Sequence, residues 1–139
     1  MSRFAALALD TEAPRRMLIR HPATGETLRD ADGTEAFIDL LALTSSAAQK
    51  ARAEIQRRRI EGRVRRVTLE DAEREALQVL AACTKGWHLV TLTGDAMNEP
   101  CSADVALELY GEPGMRWLTE QATIFADNAG NYLPGSSKS

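Results

Sequence analysis

From Ala47 to Glu61 the chain runs fifteen residues without glycine or proline, and strong helix formers fill the stretch. Such a run has one good outcome, an α-helix, and Thr44-Ser45-Ser46 just ahead of it offers hydroxyls for an N-cap. Its apolar positions are few. Ala47, Ala51 and Ile55 make a narrow stripe, while Lys50, Glu54, Arg57 and Arg58 stand at i,i+3 and i,i+4 spacings that favour ion pairs. A helix this polar is peripheral, or meets another helix closely through its alanines. The remaining segments must therefore build the core, and with aromatics at 5% that core rests on aliphatic side chains and alanine.

Ahead of this helix the text changes period. Residues up to Pro14 read as a loose leader. Met17-Leu18-Ile19 is a short apolar run stopped by His21-Pro22, and Phe37-Ile38-Asp39-Leu40-Leu41 resumes a strand-like pattern. Between them, Ala23-Thr24-Gly25 and Asp30-Ala31-Asp32-Gly33 carry turn chemistry. The expectation is a β-hairpin region over 16–43, which needs the helices or a partner to lean on.

Behind it, Gly62 to Val67 is a basic connector, and Thr68 with Asp71 three positions on predicts a capping box for a second helix. Leu69, Ala72, Ala76, Leu77, Leu80 and Cys83 form that helix's expected core stripe, with Gly86 as its stop. Trp87-His88-Leu89-Val90 is a short extended run, and Thr93-Gly94-Asp95 turns the chain. Pro100 and Ser102 open a third helix that turns Val105, Ala106, Leu109 and Tyr110 inward and ends at Gly111. Past Pro113-Gly114, a fourth helix aligns Met115, Leu118, Ala122 and Phe125, widened by Trp117, Gln121 and Ile124. Phe125 is expected to pack on the second helix and Trp117 to stay available to a client or another copy. The fold class is thus α+β, mostly α, as one domain over 1–139: a β-hairpin region at 16–43, a helical body at 44–130 and a disordered tail at 131–139.

The chemistry-bearing residues are sparse. Cys83 and Cys101 make no C-x-x-C pair, and His21, Cys83, His88 and Cys101 match no zinc spacing. Cys83 and His88 lack an orienting third group, and no phosphate-cradling glycine loop is present. The expectation is a protein that is not an enzyme and uses no cofactor or metal. Phe4 to Leu9 is too short an apolar stretch for a secretory signal or a membrane span, so the expected setting is the cytoplasm. Charge is split: residues 1–66 hold 13 Lys/Arg against 9 Asp/Glu, and residues 67–139 hold 4 against 11. Seven arginines fall between Arg52 and Arg66, Arg57, Arg58 and Arg59 among them. They suit a solvated face, a protein-docking surface or a phosphate backbone, but no aromatics interleave for base stacking. Trp87 and Trp117 are either core fillers or docking anchors.

The second half of the chain resembles the tail assembly chaperones of long-tailed phages and prophages. The residues that carry the likeness are Ala81-Ala82-Cys83-Thr84-Lys85-Gly86-Trp87 and Leu92-Thr93-Gly94-Asp95, then Pro100-Cys101-Ser102 opening a helix that ends Glu108-Leu109-Tyr110. Trp117-Leu118-Thr119-Glu120-Gln121, Phe125-Ala126-Asp127 and Asn131-Tyr132-Leu133 follow in the same order. His21-Pro22-Ala23-Thr24-Gly25-Glu26 and the Arg-rich helix from Gln49 to Arg59 extend it to about residues 17–133. Tyr132 departs from the family's more usual Phe, and Gly111-Glu112-Pro113-Gly114 matches only loosely its Pro-Trp approach to the last helix. The resemblance implies a chaperone of the infected host's cytoplasm that binds the tape-measure protein, recruits tail-tube subunits and is absent from the mature virion. It also implies a longer frameshift product, for which Ser136-Ser137-Lys138-Ser139 would be a linker, and it is compatible with self-association. Trp87, Tyr110, Trp117, Gln121, Arg57, Arg58 and Arg59 are the partner-binding candidates. Two alternatives stay open: a structural tail or head–tail connector protein, and a small nucleic-acid-binding regulator using the Arg52–Arg66 cluster.

Overall fold

The computed structural model of the chain describes residues 3–63 and 66–134. Strands β1 (Arg15–Leu18), β2 (Phe37–Leu40) and β3 (Thr84–His88) form one antiparallel sheet in the order β1-β2-β3. Helices α1 (Ser46–Glu61) and α2 (Leu69–Ala82) lie between β2 and β3 in sequence, and α3 (Ala103–Gly111) and α4 (Arg116–Asp127) follow. Short 3-10 turns occur at Ala5–Leu7 and Ala129–Tyr132.

The sheet is two-faced, as strand alternation requires. Met17, Ile38 and Leu40 are buried on one face and join Leu80, Ala81, Ala106, Leu118 and Ala122 in the main core. On the other face Arg16 pairs with Asp39 in register, donates to its carboxylate at 3.0 Å and lays its guanidinium 3.6 Å from the centre of the Phe37 ring. The hairpin expected over 16–43 is present, with β1 and β2 at its two ends. Its long connection folds back on itself through the bridges Arg20↔Thr27 and Arg29↔Glu35. Gly25 and Gly33 turn the chain at φ +74° and +81°, a region that side chains with a Cβ avoid. Asp30 organises the second turn by accepting from Asp32 N and Thr34 N, and its other oxygen meets His88 Nε2 at 2.8 Å. The bond to His88 holds the Asp30 carboxyl below its ordinary range.

Both expected caps on the first two helices form. Ser45 is the N-cap of α1, and Thr68 and Asp71 make the reciprocal box that opens α2. Ala48 and Ile55 bury α1 against Val79 and Cys83 of the α2 end, in a second small core that also holds Leu41. Four expectations need correction. Gly86 is not the stop of the second helix: α2 ends at Ala82, and Gly86 lies inside β3 opposite Asp39. Residues 84–88 therefore add a third strand to what reads as a hairpin. The core stripe of α2 holds only in its last turns, since Leu69, Ala72 and Ala76 are exposed. And α4 packs on α3, β2 and the closing 3-10 turn, where Phe125 meets Tyr132 edge-on and is only half-buried.

Asp10, Glu12, Asn131 and Tyr132 are tied in further than a leader and a tail imply. Asp10 N donates to Tyr132 O at 2.8 Å, and Glu12 accepts from Ser46 N at the open end of α1, which lowers its pKa. Asn131 and Tyr132 are not disordered: Tyr132 is 1% exposed, and its hydroxyl donates to Leu40 O at 3.1 Å. The rest of the expected tail, residues 135–139, lies outside the described residues, as does Arg65 of the arginine run.

Candidate functional site

β3 does not end in a plain loop. Past His88 the chain makes a second small hairpin, in which Val90 bridges Ala96, Met97 N donates to Leu89 O at 2.9 Å and Gly94 turns at φ +93°. The return arm is fixed by Trp87, whose indole Nε1 donates to Glu99 O at 2.7 Å. Opposite this hairpin stand α3, opened by the Ser102 cap, and the Glu112–Gly114 turn that leads into α4. The two walls enclose a groove of about 520 Å³.

Its lining is mostly apolar. Trp87, Val90 and Leu92 come from the β3 side, and Leu109, Met115 and Trp117 from the helical side. Leu92 is 51% exposed and Met97 42%, so the floor is open to solvent and not a closed core. Among the described residues, the only charged ones that line it are Glu99, Glu108 and Glu112. All three are exposed, and none makes an ion pair among the described residues. Glu108, on α3, and Glu112, its C-cap, belong to the helical side of the groove, while Glu99 belongs to the return arm of the hairpin.

The structure brings Trp87 and Trp117 together in this groove and places the other five predicted partner-binding residues outside it. Trp87 and Trp117, thirty positions apart, line the same groove and are half-buried, so each is both a packing residue and an accessible one. Tyr110 is buried outside this groove: its hydroxyl donates to Thr84 Oγ1 at 2.8 Å, and Thr84 Oγ1 in turn donates to Leu80 O at 2.9 Å. Burial pushes the Tyr110 phenol up to about 12. Gln121 is spent on the backbone of Arg20: its Oε1 accepts from Arg20 N at 3.0 Å and its Nε2 donates to Arg20 O at 2.8 Å. It satisfies both outward groups beyond the end of β1, as another strand would.

Arg58 and Arg59 border one cleft between α1 and α2, and Arg57 lies along α1. Arg57 bridges Glu54 and Glu61 along α1, Arg58 reaches the Glu54 carbonyl, and Arg59 pairs with Glu75 of α2. None lines the groove. Cys83 Sγ is buried against Ser45 Oγ and Ala42 O, an apolar setting that raises its pKa, while His88 is held by Asp30. Among the described residues no group of three or more His, Cys, Asp or Glu is placed to hold a metal ion, and no helix is long and apolar enough to cross a membrane.

Sequence reasoning missed the residues that join the two tryptophans. Leu92, Met97 and the three glutamates sit in a turn, a loop and helix ends, where apolar and acidic residues each have an ordinary local explanation. Their convergence depends on β3 joining the sheet. Comparison of the chain with protein-family models, with curated proteins and with solved structures finds no match.

Proposed function

We propose that this protein is a phage tail assembly chaperone: a non-enzymatic holding protein of the host cytoplasm that binds the tape-measure protein and recruits tail-tube subunits. The observation that carries the reading is the shared, solvent-open apolar groove of Trp87 and Trp117. A holding chaperone needs apolar surface that stays uncovered in the free protein, and aromatic anchors set in a preformed groove are the usual means. The reading rests on that groove together with the likeness spread over about residues 17–133. Cys83 is engaged with Ser45 and His88 with Asp30, so neither is positioned on the other.

The test is co-expression with the tape-measure protein. The intact chain is expected to keep that protein soluble, and Trp117→Ala to weaken the rescue while leaving the fold in place. If the intact chain gives no rescue and mass spectrometry finds it stoichiometrically in purified particles, the connector reading replaces this one.

A further inference from the structure

We propose that the groove between the β3 hairpin and α3–α4 selects a cationic amphipathic helix, and that Glu99, Glu108 and Glu112 are its specificity residues. The proposal rests on the groove being the client site and adds the chemistry of the segment it takes. The floor is apolar and aromatic, its charged rim is wholly acidic, and no lysine or arginine lines it among the described residues. Elsewhere on the surface some carboxylates are paired, as Glu35 is with Arg29, Asp39 with Arg16, Glu54 and Glu61 with Arg57, and Glu75 with Arg59, while others such as Glu70, Asp104 and Asp127 make no ion pair among the described residues. The three rim carboxylates have no such partner among the described residues. They stand on both walls with apolar surface between them, which matches a helix whose apolar stripe is flanked on each side by Lys or Arg. An acidic segment would meet like charge on both edges.

A second copy of this chain fits less well. Its basic surface is α1, and the one large apolar side chain that α1 exposes is Ile60, too little to cover a floor containing two tryptophans. The occupant is therefore a partner segment that carries its own apolar stripe.

The full-length protein provides its own reporter, because its only two tryptophans both line the groove. Two synthetic amphipathic peptides with the same leucine stripe are titrated, one with lysine on its polar positions and the other with glutamate. Binding is followed by calorimetry and by the two indole N–H resonances. The lysine peptide is expected to shift both resonances and to bind about ten-fold tighter than its twin, as three exposed ion pairs allow. That preference should shrink as salt rises and vanish in the triple variant Glu99→Gln/Glu108→Gln/Glu112→Gln. Leu92→Asn, a neutral polar replacement at an exposed position that leaves the core untouched, should weaken both peptides. Equal affinity for the two peptides, unmoved indole resonances, or concentration-dependent indole shifts without peptide (a second copy filling the groove) would each overturn the proposal. These results do not depend on the tape-measure co-expression, so the groove's chemistry and the client's identity fail separately.

Discussion

Tyr132 shows how one side chain near the end of a chain can close a fold. Its ring lies edge-on to Phe125, its hydroxyl reaches Leu40 O across the sheet end, and the carbonyl of the same residue receives Asp10 N. Burial raises its phenol pKa well above the ordinary value. Tyr132→Phe should remove one hydrogen bond and cost about 0.5–1.5 kcal/mol. Tyr132→Ala should cost about 3–5 kcal/mol and free both termini. Urea unfolding followed by tryptophan fluorescence measures both. Asp30 gives a residue-scale pH prediction. Its folded pKa is depressed, chiefly by the His88 bond, so its contribution is complete above the unfolded value of 3.8 and is lost as pH falls through the lower folded value. Below about pH 5 the thermal midpoint of the natural chain should therefore drop more steeply than that of Asp30→Asn. Neither Tyr132 nor Gln121 could be assigned its role from the sequence. Their partners are backbone groups 92 and 101 positions away, and a backbone group carries no sequence mark.

Elements were legible where the cause is local. Thr68 and Asp71 announce the start of α2 because the capping box is made by four consecutive residues. Thr68→Ala is expected to cost about 1 kcal/mol in the same urea assay and to leave peptide binding at the groove unchanged, since the cap lies on another part of the molecule. The end of α2 was illegible for the complementary reason. Gly86 is an ordinary helix terminator, but the helix stops earlier because Thr84 turns its hydroxyl onto the Leu80 carbonyl and its backbone pairs with β2. Gly86 is then placed facing Asp39, where a Cβ would come within 3.3 Å of the carboxylate that Arg16 holds. A free strand edge settled the boundary, and strand edges are a property of the assembled sheet. The same cause hid the groove, because the hairpin that forms its wall continues from β3.

At the scale of the whole molecule, the charge asymmetry of the sequence bears on the nucleic-acid alternative through how its arginines are placed. The arginines that dominate the first half are distributed among in-helix pairs, a bridge to α2 and isolated exposed positions. Three carboxylates of the second half, Glu99, Glu108 and Glu112, line the apolar groove instead. A phosphate-tracking protein needs the reverse arrangement, free cations aligned on one face with aromatics between them for stacking. Arg57 already has two carboxylates, and Arg59 is committed to holding α1 on α2, so binding DNA through them would mean breaking those pairs. Purified protein is accordingly expected to show no appreciable binding to duplex or single-stranded DNA at physiological salt, measured by fluorescence anisotropy. At low salt any weak association should be unaltered by Arg57→Ala/Arg58→Ala. Micromolar affinity with a slope of log K against log salt near −3, abolished when Arg57, Arg58 and Arg59 are replaced together, would mean that about three phosphates are neutralised there. That result would make the arginine run the functional surface, and the regulator would then displace the chaperone as the better reading.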